Sequence, residues 1–539
     1  MTTPTSTADS GGATGAEASP PPGGLPDAAT LARWATEHLR RLPQGAGPLH
    51  AAPSPPSGTA GSVPGWSELE SLAQATVARL TAATLVHPQL PEVPATVGLV
   101  APVDVAPPPV RDRPHFYFLE ELTETLADAR HPPFDVQTVR RDFPILQTRV
   151  HGRPLIWLDN AATTQKPLAV IERLSHFYRH ENSNVHRAAH ELAARATDAY
   201  EGARRTAQMF LGAAAPEEIV FVRGATEGIN LVAQSWGRQH VRQGDEIVIS
   251  HLEHHANIVP WQLLASERQA VLKVVPVDSS GQLRLEELQR LLSDRTRIVS
   301  IAHVSNALGT ITPVREVVDM AHRAGACVLI DGAQSVSHLP VNVQALDADF
   351  YVFSGHKIFG PTGIGVLYGK RAILEDMPPW QGGGSMIEEV TFEKTRYQAP
   401  PARFEAGTGS IADAAALGTA LEYVQRLGLH NIEHYERELL AYATQRLLTV
   451  PGLTIVGTAA DKASVLSLVI DGLDTTTLGA TLNQYGIAVR AGHHCAQPIV
   501  RRFGYEATLR ASLAFYNTRD EVDTFVAVLQ QLTAAARSR

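Results

Sequence analysis

From about residue 133 to the C-terminus, short apolar runs alternate with longer stretches of helical periodicity. The runs that predict strands in the first part of this region are 219–222, 246–250, 272–277, 298–303, 328–331, 350–353 and 363–368. Most of them are apolar at consecutive positions, as in strands that helices cover on both faces. This alternation predicts an α/β domain built on a largely parallel sheet.

A second set of apolar runs predicts a smaller domain. The predicted strands are 453–456, 464–470, 487–489 and 508–515, between a long helical segment over 413–450 and a helix over 520–535. We therefore assign residues 166–412 to a large domain and 413–539 to a small α+β C-terminal domain. Residues 131–165 are expected to form an N-terminal segment that joins the small domain.

The first 130 residues have a different composition. Residues 1–114 hold 19 of the 36 prolines, and segments of this kind bury too little side chain to offset the entropy of ordering. We predict a largely disordered extension over 1–130, interrupted by short amphipathic motifs at 31–42, 67–80 and 116–126. Such motifs either dock on the main domain or bind a partner.

Composition and charge exclude several classes of function. The 539 residues are 44% hydrophobic, which is enough for a large globular core. The formal net charge of −9 argues against nucleic-acid binding as the main activity. Because no apolar run of 18 residues and no secretory signal are present, we expect a cytoplasmic protein without a membrane partner.

The counts of two residue types narrow the chemistry further. Cys327 and Cys495 are the only cysteines, so any sulfur chemistry uses a single thiol rather than a disulfide framework. Only six lysines are present, which leaves few candidates for a lysine-dependent mechanism. The glycine-rich segment 360–365 leads into a predicted strand instead of opening a helix, so it is not a dinucleotide loop. No metal site is predicted, because the histidine pairs lack ligand spacing.

Polar residues follow two of the predicted strands. Asp331 ends the run 328–331, and Lys357 follows the run 350–353 closely. Pyridoxal 5′-phosphate (PLP) needs a lysine to hold its aldehyde and an anion beside its pyridine nitrogen. The alternative is an aspartate that caps a turn and a solvated lysine. Nearby phosphate donors at Thr226, Ser354 and His356 favour a PLP site.

Seven segments resemble the SufS-like, group II cysteine desulfurases, which belong to the class V aminotransferase group of fold-type I PLP enzymes. The segments are LDNAATTQKP (158–167), RGATEGIN (223–230), EHHANIVPW (253–261), DGAQ (331–334), SGHK (354–357), RFEAGT (403–408) and RAGHHCAQP (490–498). The resemblance runs from about Phe134 to the C-terminus. It implies an aspartate aminotransferase-like large domain with a mixed, mostly parallel sheet, and PLP as the cofactor.

The resemblance also implies roles for individual residues around PLP. Lys357 would hold the aldehyde, Asp331 would pair with the pyridine nitrogen, and Gln334 would meet the phenolic oxygen. His254 would stack on the ring and belong to the catalytic set. The implied phosphate ligands are Thr226, Ser354, His356 and, from the second subunit of a homodimer, Thr408.

On the substrate side, the resemblance implies a site for L-cysteine. Arg510 would clamp the substrate carboxylate with a bidentate guanidinium. The remaining substrate-side residues are Asn306, His186 and Arg490. The chain departs from the family pattern at Ala225, where a threonine is frequent, and at 409–411, where Pro-Asn-Thr is usual.

The two cysteines are expected to differ in reactivity. Cys327 lies in an apolar strand, where burial keeps a thiol neutral and inert. Cys495 follows two histidines, with Arg490 nearby, and positive neighbours favour the thiolate. The resemblance implies that Cys495 attacks the sulfur of L-cysteine, so that L-alanine leaves and a persulfide remains on the enzyme.

Partners and alternatives follow from the same resemblance. The short loop 490–498 and the segment 378–385 are similar to group II members, which pass sulfur to an acceptor protein of the SufE/SufU kind. The proline-rich extension resembles that of desulfurases packaged in family 2 encapsulin shells. The alternatives are a selenocysteine lyase, or a free cytosolic desulfurase whose extension docks a sulfur acceptor.

Overall fold

The computed structural model describes residues 134–185 and 189–538. The three amphipathic motifs predicted between residues 31 and 126 lie outside the described residues, as does His186. The structural account below therefore concerns the remainder of the chain.

The strands are numbered in chain order. They are Arg149–Val150 (β1), Arg153–Pro154 (β2), Ile156–Trp157 (β3), Ile219–Val222 (β4), Glu246–Ser250 (β5), Val271–Val275 (β6), Thr296–Ala302 (β7), Cys327–Asp331 (β8), Phe350–Ser354 (β9), Gly365–Gly369 (β10), Ile387–Val390 (β11), Thr395–Tyr397 (β12), Leu453–Val456 (β13), Val465–Ile470 (β14), Ile487–Ala488 (β15), Arg490–Gly492 (β16) and Thr508–Ser512 (β17).

The α-helices surround these strands. They are Val136–Arg141, Leu168–His180, Glu191–Leu211, Ala225–Val232, Arg238–His240, Val259–Arg268, Leu285–Leu291, Val314–Arg323, Val343–Leu346, Arg371–Asp376, Ile411–Leu427, Leu429–Leu447, Thr475–Gln484, Gln497–Arg502 and Arg519–Arg537. Single helical turns lie at Pro144–Gln147, Pro216–Glu218, Ala233–Gly237, His255–Asn257, Gly355–Lys357 and Ala402–Phe404.

The central sheet has seven strands in the order β4-β10-β9-β8-β7-β5-β6. The strands β9, β8, β7, β5 and β6 pair in parallel. Strand β10 runs antiparallel to both of its neighbours, β4 and β9. The sheet is therefore mixed and mostly parallel, and the predicted α/β fold is confirmed.

Both faces of this sheet are buried. Along β8, Val328 and Ile330 pack into one apolar cluster, whereas Leu329 packs into another on the opposite face. Successive side chains of a strand point to opposite faces, so a covered strand must be apolar at every position. This is why the consecutive apolar runs were sufficient to predict these strands.

One prediction of secondary structure was wrong. The segment 413–450 was expected to form one long helix, but two helices end and begin on either side of Gly428. Gly428 adopts a φ of 82°, in the left-handed region that favours glycine and ends helices. The first helix, Ile411–Leu427, packs against Leu168–His180 and Glu191–Leu211.

A second sheet lies in the C-terminal part of the chain, in the order β13-β14-β17-β16. Beside it, β3 pairs in parallel with β15, so residues 156–157 join strands more than 300 positions away in sequence. Among the described residues, the helices are too short or too polar to cross a membrane.

Candidate active site

Polar residues collect at the carboxyl ends of the parallel strands, where open α/β sheets bind their ligands. A cavity of about 250 Å³ opens there. Eleven of the thirteen site residues expected from the sequence line it: Thr226, His254, Asn306, Asp331, Gln334, Ser354, His356, Lys357, Arg490, Cys495 and Arg510. The cavity thus joins residues of the central sheet to residues of β16, β17 and the loop after β16.

Lys357 and Asp331 are both buried in this cavity. Burial lowers the pKa of Lys357 to about 8, although the neighbouring Asp331 opposes the effect. Burial also raises the pKa of Asp331, whose Oδ1 accepts a hydrogen bond from Ala333 N at 2.9 Å. Lys357 is therefore readily deprotonated, and Asp331 lacks a fully compensating cationic partner.

An anion site lies at the start of the helix Ala225–Val232. No side chain caps this helix, so its first amide groups remain available to an anion. Gly224 has a φ of 155°, and a Cβ there would lie 3.1 Å from Ser354 Oγ, so glycine permits the close approach. Ser354 Oγ also accepts a hydrogen bond from Ala225 N at 2.9 Å.

Two histidines beside these groups are held neutral. Burial lowers the pKa of His254 to about 3, and the nearby Lys357 adds to the effect. Burial and Lys357 likewise lower the pKa of His356 to about 4. Because His254 Nδ1 accepts a hydrogen bond from Ala256 N at 3.0 Å, its proton resides on Nε2.

The turn that carries His254 is anchored from below. Glu253 is fully buried and accepts hydrogen bonds from Ser250 Oγ at 2.5 Å, Asn257 Nδ2 at 2.6 Å and Ala302 N at 3.1 Å. Burial raises the pKa of Glu253 to about 7. This network fixes the turn between β5 and the next helix.

Unpaired polar atoms mark a binding site on the other wall. Arg510 is 1% exposed and donates from Nη1 to Asn306 O at 2.9 Å, but its Nε has no partner. Asn306 donates to His494 O at 2.6 Å, while its Oδ1 has no partner. A buried unpaired guanidinium N–H beside an unpaired amide oxygen suits a ligand with a carboxylate and an amino group.

The Cys495 loop is held in an uncommon backbone conformation. His494 and Cys495 have φ values of 56° and 54°, which cost energy for residues with a Cβ. Cys495 is exposed, its N donates to His493 Nδ1 at 3.1 Å, and its O accepts from His255 N at 2.7 Å. These bonds fix the thiol over the cavity that holds Lys357.

Cys327 is placed differently. It opens β8, where burial and the neighbouring Asp349 raise the pKa of its thiol well above the ordinary value. This agrees with the expectation of a neutral, inert thiol.

The structure does not bring Thr408 into this cavity. Thr408 lies instead beside Tyr200 and Glu405, at the edge of two further clefts. His186 lies outside the described residues.

Sequence reasoning missed two residues of the site. His494 lines the cavity, and its Nε2 hydrogen-bonds Thr508 Oγ1 at 2.7 Å. Asp159 bridges Arg490 and Arg510. The segment 158–167 was noted for its resemblance, but the partners of Asp159 lie more than 300 residues away, and no local pattern announces them.

The fold and this lysine–aspartate pair are those of a PLP enzyme of fold type I. Residues 156–525 match the family Aminotransferase class-V. The chain is 62% identical over 442 residues to a cysteine desulfurase of Synechococcus elongatus, covering 77% of this chain and 71% of that protein. It is 56% identical over 497 residues to a probable cysteine desulfurase of Mycobacterium leprae, covering 91% and 81% respectively.

A solved structure agrees with these relatives. The cysteine desulfurase CsdA of Escherichia coli aligns with a TM-score of 0.69 and 40% identity, covering 74% of this chain and 98% of that one. The chain therefore belongs to the class V aminotransferase family and, within it, to the cysteine desulfurases.

The cofactor of this family is PLP, and the cavity fits it. Lys357 offers an amine that deprotonates near neutral pH, and Asp331 offers a buried carboxylate in need of a cation. The uncapped helix start at Ala225 offers amide groups to a phosphate. The donor set thus matches the aldehyde, the ring nitrogen and the phosphate of PLP.

Proposed function

We propose that this enzyme converts L-cysteine to L-alanine and keeps the released sulfur as a persulfide on Cys495. The observation that carries the proposal is that Cys495, Lys357 and Arg510 line one cavity. An exposed thiol there has a use in desulfuration, whereas ordinary transamination needs none.

In this proposal, the cofactor is held by residues of the large domain. Lys357 binds its aldehyde, Asp331 its ring nitrogen and Gln334 its phenolic oxygen, while His254 stacks on the ring. The phosphate is held by Thr226, Ser354 and His356. Thr408 lies away from the cavity of its own chain, which supports the expectation that it completes the site of a second subunit in a homodimer.

The substrate is held on the opposite wall. The unpaired Nε of Arg510 and the unpaired Oδ1 of Asn306 receive the carboxylate and amino groups of L-cysteine. Arg490 and His186 complete this side. PLP, when bound, withdraws electrons from the α-carbon of the amino acid and so labilises its Cα proton. The amine of Lys357, with its lowered pKa, takes up and returns that proton.

The sulfur then passes to Cys495. The Cys495 thiolate attacks the substrate sulfur, a sulfur–sulfur bond forms, and the substrate Cβ–S bond breaks. The carbon fragment takes up a proton and leaves as L-alanine, so the persulfide keeps the oxidation level of the transferred sulfur. Its next recipient is an acceptor protein of the SufE/SufU kind or a thiol reductant.

Two further features support the finer assignment to group II. The loop between β16 and the helix Gln497–Arg502 is short, and a hairpin, β11–β12, follows residues 378–385. For the extension, we propose cargo loading into an encapsulin shell in the cytoplasm. A free enzyme whose extension docks a sulfur acceptor is the competing outcome.

Replacement of each cysteine by serine tests the reaction. We expect Cys495→Ser to bind PLP and L-cysteine but to release no sulfide, because the attacking thiolate is gone. Cys327→Ser is the matched control and is expected to retain sulfide release, because its buried thiol takes no part. The measurements are cofactor absorbance and the amounts of sulfide and alanine formed under a reductant.

Sulfide release by Cys495→Ser at the native rate would contradict the proposal, as would equal loss in both variants. Turnover of L-selenocysteine in preference to L-cysteine would instead identify a selenocysteine lyase.

A further inference from the structure

Two arginines of the substrate wall face each other directly. Arg490 and Arg510 are partners in the register of β16 and β17, and like charges placed opposite each other in a sheet repel. Asp159 lies between them. Its Oδ2 accepts from Arg490 Nη2 at 2.9 Å, and its Oδ1 accepts from Arg510 Nη2 at 3.1 Å.

The contact between Asp159 and Arg490 is bifurcated. Arg490 Nε also donates to both carboxylate oxygens at 3.2 Å. Both Asp159 and Arg510 are buried, with 8% and 1% of their surface exposed. A buried guanidinium needs an anion close by, and Asp159 is the carboxylate that hydrogen-bonds this one.

We propose that Asp159 is a positioning residue that holds both guanidiniums and cancels one of their two charges. The cavity then offers one net positive charge to the single α-carboxylate of an amino acid, and the positive potential at the Cys495 thiol is limited. This inference rests on the function proposed above, since it gives Arg510 and Cys495 their roles.

The arrangement of charges around Cys495 makes the inference testable through the thiol itself. The charged and titratable groups that face the loop are Lys357 after β9, Arg490 on β16, Arg510 on β17, and the imidazoles of His254, His255, His493 and His494. Burial lowers the pKa of His254 and of His494 to about 3, so both are neutral at neutral pH. The guanidiniums therefore supply much of the cationic field.

The experiment measures alkylation of Cys495 by iodoacetamide against pH in the PLP-loaded enzyme, with the modified peptide identified by mass spectrometry. Replacing Asp159 by asparagine removes a negative charge and leaves both guanidiniums uncompensated. We expect the pH of half-maximal alkylation rate to fall by about 1 unit, because the added positive potential stabilises the thiolate. Asp159→Glu, which keeps the charge, is expected to return the profile toward that of the native enzyme.

The matched control is Asp523→Asn. Asp523 also pairs with an arginine, accepting from Arg446 Nε at 2.7 Å, but on the distant C-terminal helix. Its alkylation profile is expected to match that of the native enzyme. If Asp159→Asn does not fold, Asp159→Ser removes the same charge with less bulk and carries the same expectation.

An unchanged or upward-shifted profile in the neutral variants would overturn the inference, as would an equal shift in Asp523→Asn. Alkylation needs no turnover, so the two proposals fail separately. A native enzyme that alkylates as expected but forms no sulfide from L-cysteine would contradict the proposed function alone.

Discussion

At the scale of single residues, burial sets the charges of the site. It holds His254 and His356 neutral by lowering the pKa of each to about 3 and 4. It also lowers the pKa of Lys357 to about 8 from the ordinary value of 10.5. A neutral imidazole can stack on a ring or donate to a phosphate, and a lysine of low pKa is a nucleophile near neutral pH.

This lysine makes the uptake of PLP dependent on pH. The neutral amine is the reactive form, so the rate at which apoenzyme takes up PLP should rise with pH and level off above about 8. Absorbance of the bound cofactor measures the rate. Lys357→Ala is expected to lose the characteristic absorbance, and Lys394→Ala, at an exposed lysine, should retain the native profile.

A midpoint near 10.5 would contradict the low pKa of Lys357. Normal cofactor absorbance in Lys357→Ala would contradict the assignment of Lys357 itself.

At the scale of elements, one carboxylate links three parts of the large domain. Glu405, in the loop after Ala402–Phe404, accepts from Arg204 Nη1 at 2.7 Å and from Arg204 Nη2 at 2.9 Å. It also accepts from Phe221 N at 2.7 Å, on β4. Arg204 lies on the helix Glu191–Leu211 and is 3% exposed, so Glu405 ties that helix and β4 to the loop that carries Thr408.

Removal of this charge should destabilise the fold. Glu405→Gln leaves Arg204 buried without its main anion, and breaking a buried pair in this way costs about 3–5 kcal/mol. The matched control is Glu389→Gln, because Glu389 pairs with Arg396 at 3.0 Å where both side chains are more than half exposed. Its cost is expected to stay below about 1 kcal/mol. Unfolding by denaturant, monitored on the PLP-loaded enzyme, gives both values. Equal costs in the two variants would show that Glu405 does not anchor these elements.

The elements also show what the sequence can and cannot predict. Strands such as β8 were predictable because burial on both faces forces consecutive apolar residues. The break at Gly428 was missed because one glycine does not interrupt helical periodicity, although its left-handed φ ends the helix. Lys357 and Asp331 were predictable from strand ends. Asp159 was not, because its contacts with Arg490 and Arg510 depend on the tertiary pairing of distant segments.

At the scale of the whole molecule, the chain is longer than the enzyme it contains. The described region holds every residue of the cavity, and CsdA of Escherichia coli is covered to 98% by only 74% of this chain. The unmatched quarter equals the length of residues 1–133. The match to the Mycobacterium leprae relative covers 91% of this chain, so it must extend into that region. An extension shared with some desulfurases and unnecessary to another fits a role other than catalysis.

Deletion of residues 1–130 separates these roles. The rate of L-cysteine desulfuration should remain nearly unchanged, because the cavity residues lie after residue 158. If the motifs at 31–42, 67–80 and 116–126 anchor the enzyme inside a protein shell, each fully buried apolar side chain contributes about 1.5–3 kcal/mol. Several weak anchors on one chain bind a symmetric shell together through avidity. We therefore expect the truncated enzyme to lose co-purification with a co-expressed encapsulin shell protein, whereas Trp34→Ala only lowers the amount of enzyme loaded. Size-exclusion chromatography and quantification of enzyme per shell measure both effects. Equal loading of the truncated enzyme would reject the cargo role, and binding of the extension to a sulfur acceptor instead would identify it as a docking segment.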